Sequence, residues 1–145
     1  MAHARESVRS PRPQAEVFAY LSDFTTTAEW DPGIKDAEQL TEGPIDVGTR
    51  VRVVALFMGR EVELVYEVTE FEPPRRIVLR GENATTLSID EIVVEPDGAG
   101  SRVSYDANLT LKGPLRLADP LLALVFRRIA DRAIGGMRKA IGADA

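Results

Sequence analysis

Three side chains of this chain have chemistry suited to a carbonyl compound: Glu91, Tyr66 and Tyr105. Each lies in a stretch where apolar and polar residues alternate, so each has a definable side of a strand. In EVELVYEV the glutamates Glu61, Glu63 and Glu67 take one side and Val62, Leu64, Tyr66 and Val68 the other. In the stretch 101–111, Val103, Tyr105, Ala107, Leu109 and Leu111 share the apolar side. Both tyrosine hydroxyls therefore point inward, where they either hydrogen-bond a ligand carbonyl, or protonate it, or sit in a filled core against backbone partners. Glu91 is less simple. It shares parity with Leu87 and Ile89, whereas Ile92 and Val94 have the opposite parity. A regular strand puts Glu91 inside, where a carboxylate can take a proton from a carbon next to a carbonyl. A β-bulge near Asp90-Glu91 turns it to solvent and reconciles the two halves. Burying an unpaired carboxylate is costly, so an interior Glu91 would imply a purpose.

Other chemistries are closed off by composition. The chain has no cysteine, and its single histidine is His3. Thiolate chemistry, disulfides and most histidine-based triads or metal sites are excluded, and no metal or cofactor is expected. The net charge of −5 over 145 residues argues against nucleic acid as a partner. The first residues are polar, and the longest apolar run, LLALVF, is far short of the ~20 residues of a membrane span. A cytoplasmic protein without an integral membrane segment is expected, as one domain over residues 1–145.

The elements that position these groups can be read in order. A strand is expected over 4–10 and a short helix after Pro13, with Val17, Phe18 and Leu21 on one face. A helical turn then ends at Trp30, before Pro32-Gly33. From Asp36 the period is two, predicting strands at 35–41, 49–58, 61–71, 75–82, 86–95 and 101–111. The separators are short and rich in Gly, Pro, Asn and Asp, which implies antiparallel hairpins. Residues 113–142 then carry apolar side chains at Leu115, Ala118, Leu122, Val125, Phe126, Ile129, Ala133 and Met137. Steps of three and four make this one amphipathic helix of roughly 33 Å. Asp119-Pro120 reads as an N-cap and first position, so the main helix starts there after a separate turn at 114–118. Gly135-Gly136 either permits a close approach or marks a bend. Strands grouped together with helices at the ends give an α+β fold.

This arrangement resembles the polyketide cyclase/dehydrase-like branch of the SRPBCC superfamily, the START-like helix-grip proteins. The resemblance is carried by SPRPQAEVFAYLSDFTTTAEWDPGI, VGTRVRVV, YEVTEFEPPRRIVLRGE and GSRVSYDANLTLKGPLRLADPLLALVF. It implies a seven-stranded antiparallel sheet wrapped around the long C-terminal helix, two short helices between strands 1 and 2, and an apolar cavity between sheet and helix. It also implies a family of cyclases, aromatases and lipid or hormone binders, with Trp30 near the cavity mouth.

Combining parities, the expected cavity wall is Trp30, Val53, Ala55, Phe57, Leu64, Tyr66, Leu79, Leu87, Tyr105 and Ala107 from the sheet side. Leu122, Phe126, Ile129, Ala130 and Ala133 come from the helix. The small residues Ala130 and Ala133 opposite Ala55 and Ala107 mark where space is expected, because close packing would require larger side chains. Arg127, Arg128, Arg132, Arg138 and Lys139 form a solvated basic face that either complements the helix dipole or meets an anionic partner. The resulting expectation is a protein that holds a hydrophobic small molecule, a lipid or polyketide. The alternatives are a cyclase/dehydrase using Glu91, Tyr66 and Tyr105, and a protein-interaction module; a homodimer is compatible with each. Binding ranks above catalysis because the helix face that meets the sheet carries no catalytic group.

Overall fold

A computed structural model describes residues 2–57, 59–113 and 119–142, with backbone only at 119–122. The chain runs β1 (Ala2–Ser10), α1 (Gln14–Ser22), a 3-10 turn (Phe24–Thr26), α2 (Thr27–Trp30), β2 (Ile34–Gln39), β3 (Arg50–Phe57) and β4 (Arg60–Glu72). It continues through β5 (Arg76–Glu82), β6 (Thr86–Asp97), β7 (Gly100–Leu111) and α3 (Asp119–Ala140). The expected turn at 114–118 lies outside the described residues. The seven strands form one antiparallel sheet in the order β1-β7-β6-β5-β4-β3-β2. Consecutive strands from β2 to β7 pair as antiparallel neighbours, and β1 pairs with β7 at the opposite edge from β2. This is the α+β helix-grip arrangement.

Local sequence explains the boundaries. Pro13 stands just before α1 with extended backbone, and its carbonyl accepts the Val17 amide at 3.1 Å. The Asp23 carboxylate caps the 3-10 turn by accepting the Thr25 amide at 3.1 Å. α3 begins at Asp119, as the Asp-Pro step implies, and is followed by Gly142 at φ 80°. That left-handed residue donates to the Lys139 carbonyl and closes the last turn.

The sheet has a charged outer face and an apolar inner one. Arg52 bridges Glu63 and Asp36 across three strands at 3.3 and 3.1 Å. Arg76 likewise gathers Glu70, Glu72 and Glu91. Inside, Val51, Val53, Val68, Ile77, Leu79, Ile92, Val94 and Val103 are buried with Val17, Phe18, Leu21 and Phe24 from the short helices. Ile134, Met137 and Ile141 bring α3 into this core, where it packs on β1 and α2. Gly136 is the point of closest approach: a methyl group there would overlap the Trp30 carbonyl oxygen. Gly135 faces open space. The glycine pair therefore serves close packing, and only one of its members is needed for it.

The bulge expected in β6 is not there. β6 pairs with β5 and β7 without a register shift. The irregularities fall instead in β2 at Ile34/Asp36 and in β4 at Val68/Glu70. The inward residues of β6 are Thr86, Ser88, Asp90, Ile92 and Val94. Leu87 and Glu91 consequently face outward, in a regular strand. The phase carried by Ile92 and Val94 holds throughout, and Leu87 and Ile89 are apolar residues on the outer face.

Candidate functional site

Between the sheet and α3 lies a cavity of about 320 Å³, within the size range of small-molecule sites. Residues from β1, β3, β4, β6, β7 and α3 all line it, so the sheet curves around the helix. The helix contributes Phe126, Ile129, Ala130, Ala133 and Ile134. β3 contributes Ala55 and Phe57, β4 Leu64 and Tyr66, and β7 Tyr105 and Ala107. Trp30, at the end of α2, completes the set. The small side chains at 55, 107, 130 and 133 thus stand around the space rather than in a filled core.

Other expected wall residues lie elsewhere. Val53 and Leu79 are on the inner face but packed into the core, at 1% and 0% exposure, away from the cavity. Leu87 is on the outer face of β6. The side chain of Leu122 lies outside the described residues. Glu91 is the main correction: its Oε2 accepts Arg76 Nε at 2.6 Å on the outer face, within the Arg76 carboxylate cluster. A neighbouring guanidinium there, rather than a reacting carbon, is what holds it. His3 is also remote, with Nε2 3.0 Å from the Asp106 carboxylate.

The carboxyl that does enter the cavity is one residue earlier. Asp90 is 5% exposed, and its two oxygens accept the Ser88 hydroxyl at 2.7 Å and the Tyr105 hydroxyl at 2.5 Å. β6 places Ser88 beside Asp90 on the same face, and cross-strand pairing of Ile92 with Tyr105 sets β7 alongside. Burial pushes the Asp90 carboxyl up to about 6, against the two hydroxyl donors that favour its ionised form. A second carboxyl, Asp31, follows Trp30 directly. Its Oδ1 accepts the Gly33 amide at 2.8 Å, folding the Asp31-Pro32-Gly33 turn. Burial, opposed by that amide and reinforced by the charge of Asp90, pushes it up to about 6 as well. The hydroxyls of Tyr66 and Tyr105 are pushed above the ordinary tyrosine range, chiefly by burial and then by Asp90. Both therefore remain neutral hydrogen-bond donors.

The tyrosines are held by their surroundings. Tyr66 packs its ring 5.0 Å from Phe24, and Gly81 leaves the room its ring occupies, since a side chain there would run into it. Trp30 meets Tyr105 edge-on at 6.4 Å. The Trp30 indole nitrogen is buried and has no acceptor among the described residues. Tyr66, Ser88, Asp90, Tyr105 and Asp31 form a polar end in a chamber whose other lining side chains are apolar apart from Glu6, Thr85 and Thr86. A carboxyl with a proton affinity near neutrality, oriented by Tyr105 and Ser88, can accept or return a proton or anchor a hydrogen-bond donor.

Sequence reasoning found the tyrosines and missed both aspartates. Asp90 was legible from the parity of Ile92 and Val94. Asp31 was legible only as part of a break after Trp30. A second cleft of about 310 Å³ adjoins the cavity, shares Gly33, Leu56 and Ile129 with it, and is lined by Arg128 and Arg132. No described helix is long and apolar enough to cross a membrane.

Solved structures share this architecture. A START superfamily protein from Mycobacterium smegmatis superposes with a TM-score of 0.81 at 13% identity, covering 97% of each chain. The protein TTHA0849 from Thermus thermophilus gives 0.80 at 20% identity, covering 96% of each. The Zhui aromatase/cyclase from Streptomyces sp. R1128 gives 0.80 at 17% identity over 96% of this chain and 92% of that one. At these identities the likeness is one of fold. No curated protein matches the chain significantly in sequence. The sequence profile described as "Polyketide cyclase / dehydrase and lipid transport" matches residues 1–142, and the chain belongs to that family.

Proposed function

We propose that this protein binds a hydrophobic small molecule in the chamber between sheet and α3, with the polar end of the ligand at Asp90, Asp31 and Tyr105. The observation that carries this reading is the chamber itself: about 320 Å³, walled by aromatic and aliphatic side chains and polar at one end. Removing an alkyl chain from water into such a space contributes about 0.8 kcal/mol per CH₂. The polar end then fixes orientation rather than supplying the bulk of the affinity. The test is mass spectrometry of gently purified protein for a co-purified lipid or polyketide. Substituting Phe126→Trp fills part of the chamber and lowers occupancy; unchanged occupancy would place the ligand elsewhere.

A second reading is supported by a specific observation, the Asp90 carboxyl at about 6 with Tyr105 and Ser88 as its donors. In this reading the chamber folds a poly-β-carbonyl chain, and Asp90 removes a proton next to a carbonyl and returns it during cyclisation or dehydration. Tyr105 orients Asp90, and Tyr66 is available to donate to the carbonyl oxygen. This reading predicts turnover of a synthetic poly-β-ketone that D90N abolishes while chamber occupancy persists. Occupancy without turnover in the native protein leaves binding as the function.

A further inference from the structure

The walls of the chamber carry charge of one sign only. Glu6 from β1, Asp31 after α2 and Asp90 from β6 line it, and no arginine, lysine or histidine does among the described residues. The contrast with the outer face of the same sheet is sharp. There Glu63 and Glu91 each sit against a guanidinium, of Arg52 and Arg76, at 3.3 and 2.6 Å. Asp31 and Asp90 form no ion pair among the described residues; their partners are the Gly33 amide and the Ser88 and Tyr105 hydroxyls, all neutral. Uncompensated carboxylates facing an apolar space are costly unless a cation or a proton meets them. Aromatic rings of Trp30, Tyr66 and Tyr105 stand at the same end, where ring faces attract a cation.

Building on the ligand-binding reading, we infer that the chamber selects an apolar molecule bearing a protonated amine, whose ammonium group sits at the Asp31–Asp90 end. The ammonium replaces the missing counter-charge, donates hydrogen bonds to the free lone pairs of the two carboxylates, and leaves the hydrocarbon part against Phe126, Ile129 and Ala133. A fatty acid or other anion meets the opposite situation, since no cation among the described residues lines the chamber to receive its head group. Arg128 and Arg132 belong to the adjoining cleft and do not line the chamber.

Asp31 and Asp90 set the pH response; the other ionisable side chains that line the chamber are Glu6 of β1, Tyr66 of β4 and Tyr105 of β7, and Asp106, on β7, acts on Asp90 through its charge. Among its described side chains, α3 presents only Phe126, Ile129, Ala130, Ala133 and Ile134 to the chamber. Amine binding therefore weakens as pH falls and the two aspartates take up protons.

Three probes of one shape separate the possibilities: naphthylethylamine, naphthylethanol and naphthylacetate, titrated into the whole protein by calorimetry near neutral pH. The amine is expected to bind at least about tenfold tighter than the alcohol, and the acid weaker than both. D31N and D90N are each expected to reduce the preference for the amine over the alcohol about tenfold. D31N, at a half-buried turn, keeps the test open should D90N not fold. An alcohol that binds as tightly as the amine, or an acid that binds best, overturns the amine assignment while leaving the binding function standing. If none of the three binds, the binding function falls and the amine assignment with it.

Discussion

Replacing Asp90 with asparagine measures what the fold spends in free energy to hold a carboxyl against the chamber. The Asp90 carboxyl stands at about 6 in the folded protein against an ordinary value of 3.8, so the folded state binds this proton more tightly than the unfolded chain. Its ionisation is therefore destabilising. The penalty is absent below pH 3.8, grows between 3.8 and about 6, and is complete above that. Raising this carboxyl from 3.8 to about 6 corresponds to roughly 3 kcal/mol when complete. About half of that has appeared by about pH 5, leaving roughly 1 kcal/mol to develop between about pH 5 and about pH 7.5. Asparagine removes the titration. It also loses one acceptor for the Ser88 and Tyr105 hydroxyls, a cost of about 1–3 kcal/mol that does not vary with pH. Asp31 titrates in both proteins, and in D90N it loses the upward push of the Asp90 charge, which moves the difference in the same direction. Urea unfolding of both proteins, followed by the emission of Trp30 across this pH range, isolates the slope. D90N should gain on the native protein by about 1 kcal/mol as pH rises from about 5 to about 7.5. Parallel stabilities, or a native protein that gains on the variant, would refute the account of Asp90 as a buried carboxyl without a counter-charge.

Three further outcomes follow from the packing. Gly136→Ala drives a methyl group into the Trp30 carbonyl oxygen and should cost at least about 2 kcal/mol in chemical denaturation, whereas Gly135→Ala meets open space and should stabilise by up to about 1 kcal/mol. Equal effects at the two positions would contradict the close approach of α3 to α2. Glu91→Gln should leave probe affinity and any turnover unchanged and cost no more than about 1 kcal/mol of stability, because it breaks a partly exposed pair with Arg76; a large loss of binding would put Glu91 back in the chamber. Gly81→Ala pushes against the Tyr66 ring and should lower thermal stability by about 1–3 kcal/mol while shifting Tyr66 toward the chamber, seen as weaker binding of the naphthyl probes than in Gly135→Ala.

Most elements were readable because their causes are local. Period-two alternation at 50–57 and 60–68, turn formers at Gly59, Pro73-Pro74 and Asp97-Gly98, and the Asp119-Pro120 step are short-range signals, and strand and helix boundaries came within a few residues of them. Tyr66 and Tyr105 were readable for the same reason, since a clean alternation assigns a face. β6 shows where that logic fails. Its inner face carries Thr86, Ser88 and Asp90, polar residues that are stable there only because each has a partner or a chamber to face. Leu87 and Ile89 made the outer face look like the inner one. The partners of Asp90 lie two residues away and across the sheet at Tyr105, and no periodicity within β6 reports the second of these. Val53 and Leu79 show the complementary limit: parity assigns them to the inside but does not distinguish core from cavity, which depends on how α3 lies across the sheet.

By itself, then, the order of residues determined the elements, the faces of the strands other than β6, and the family, because hydrophobic periodicity and turn chemistry act over a few residues. Only the tertiary structure decided that Val53 and Leu79 belong to the core and not to the chamber, that Glu91 belongs to Arg76, and that Asp31 and Asp90 stand at one end without a cation among the described residues. Those are relations between segments distant in the chain, set by sheet register and by the approach of Gly136 to Trp30, and burial and charge balance take their values only once those segments meet.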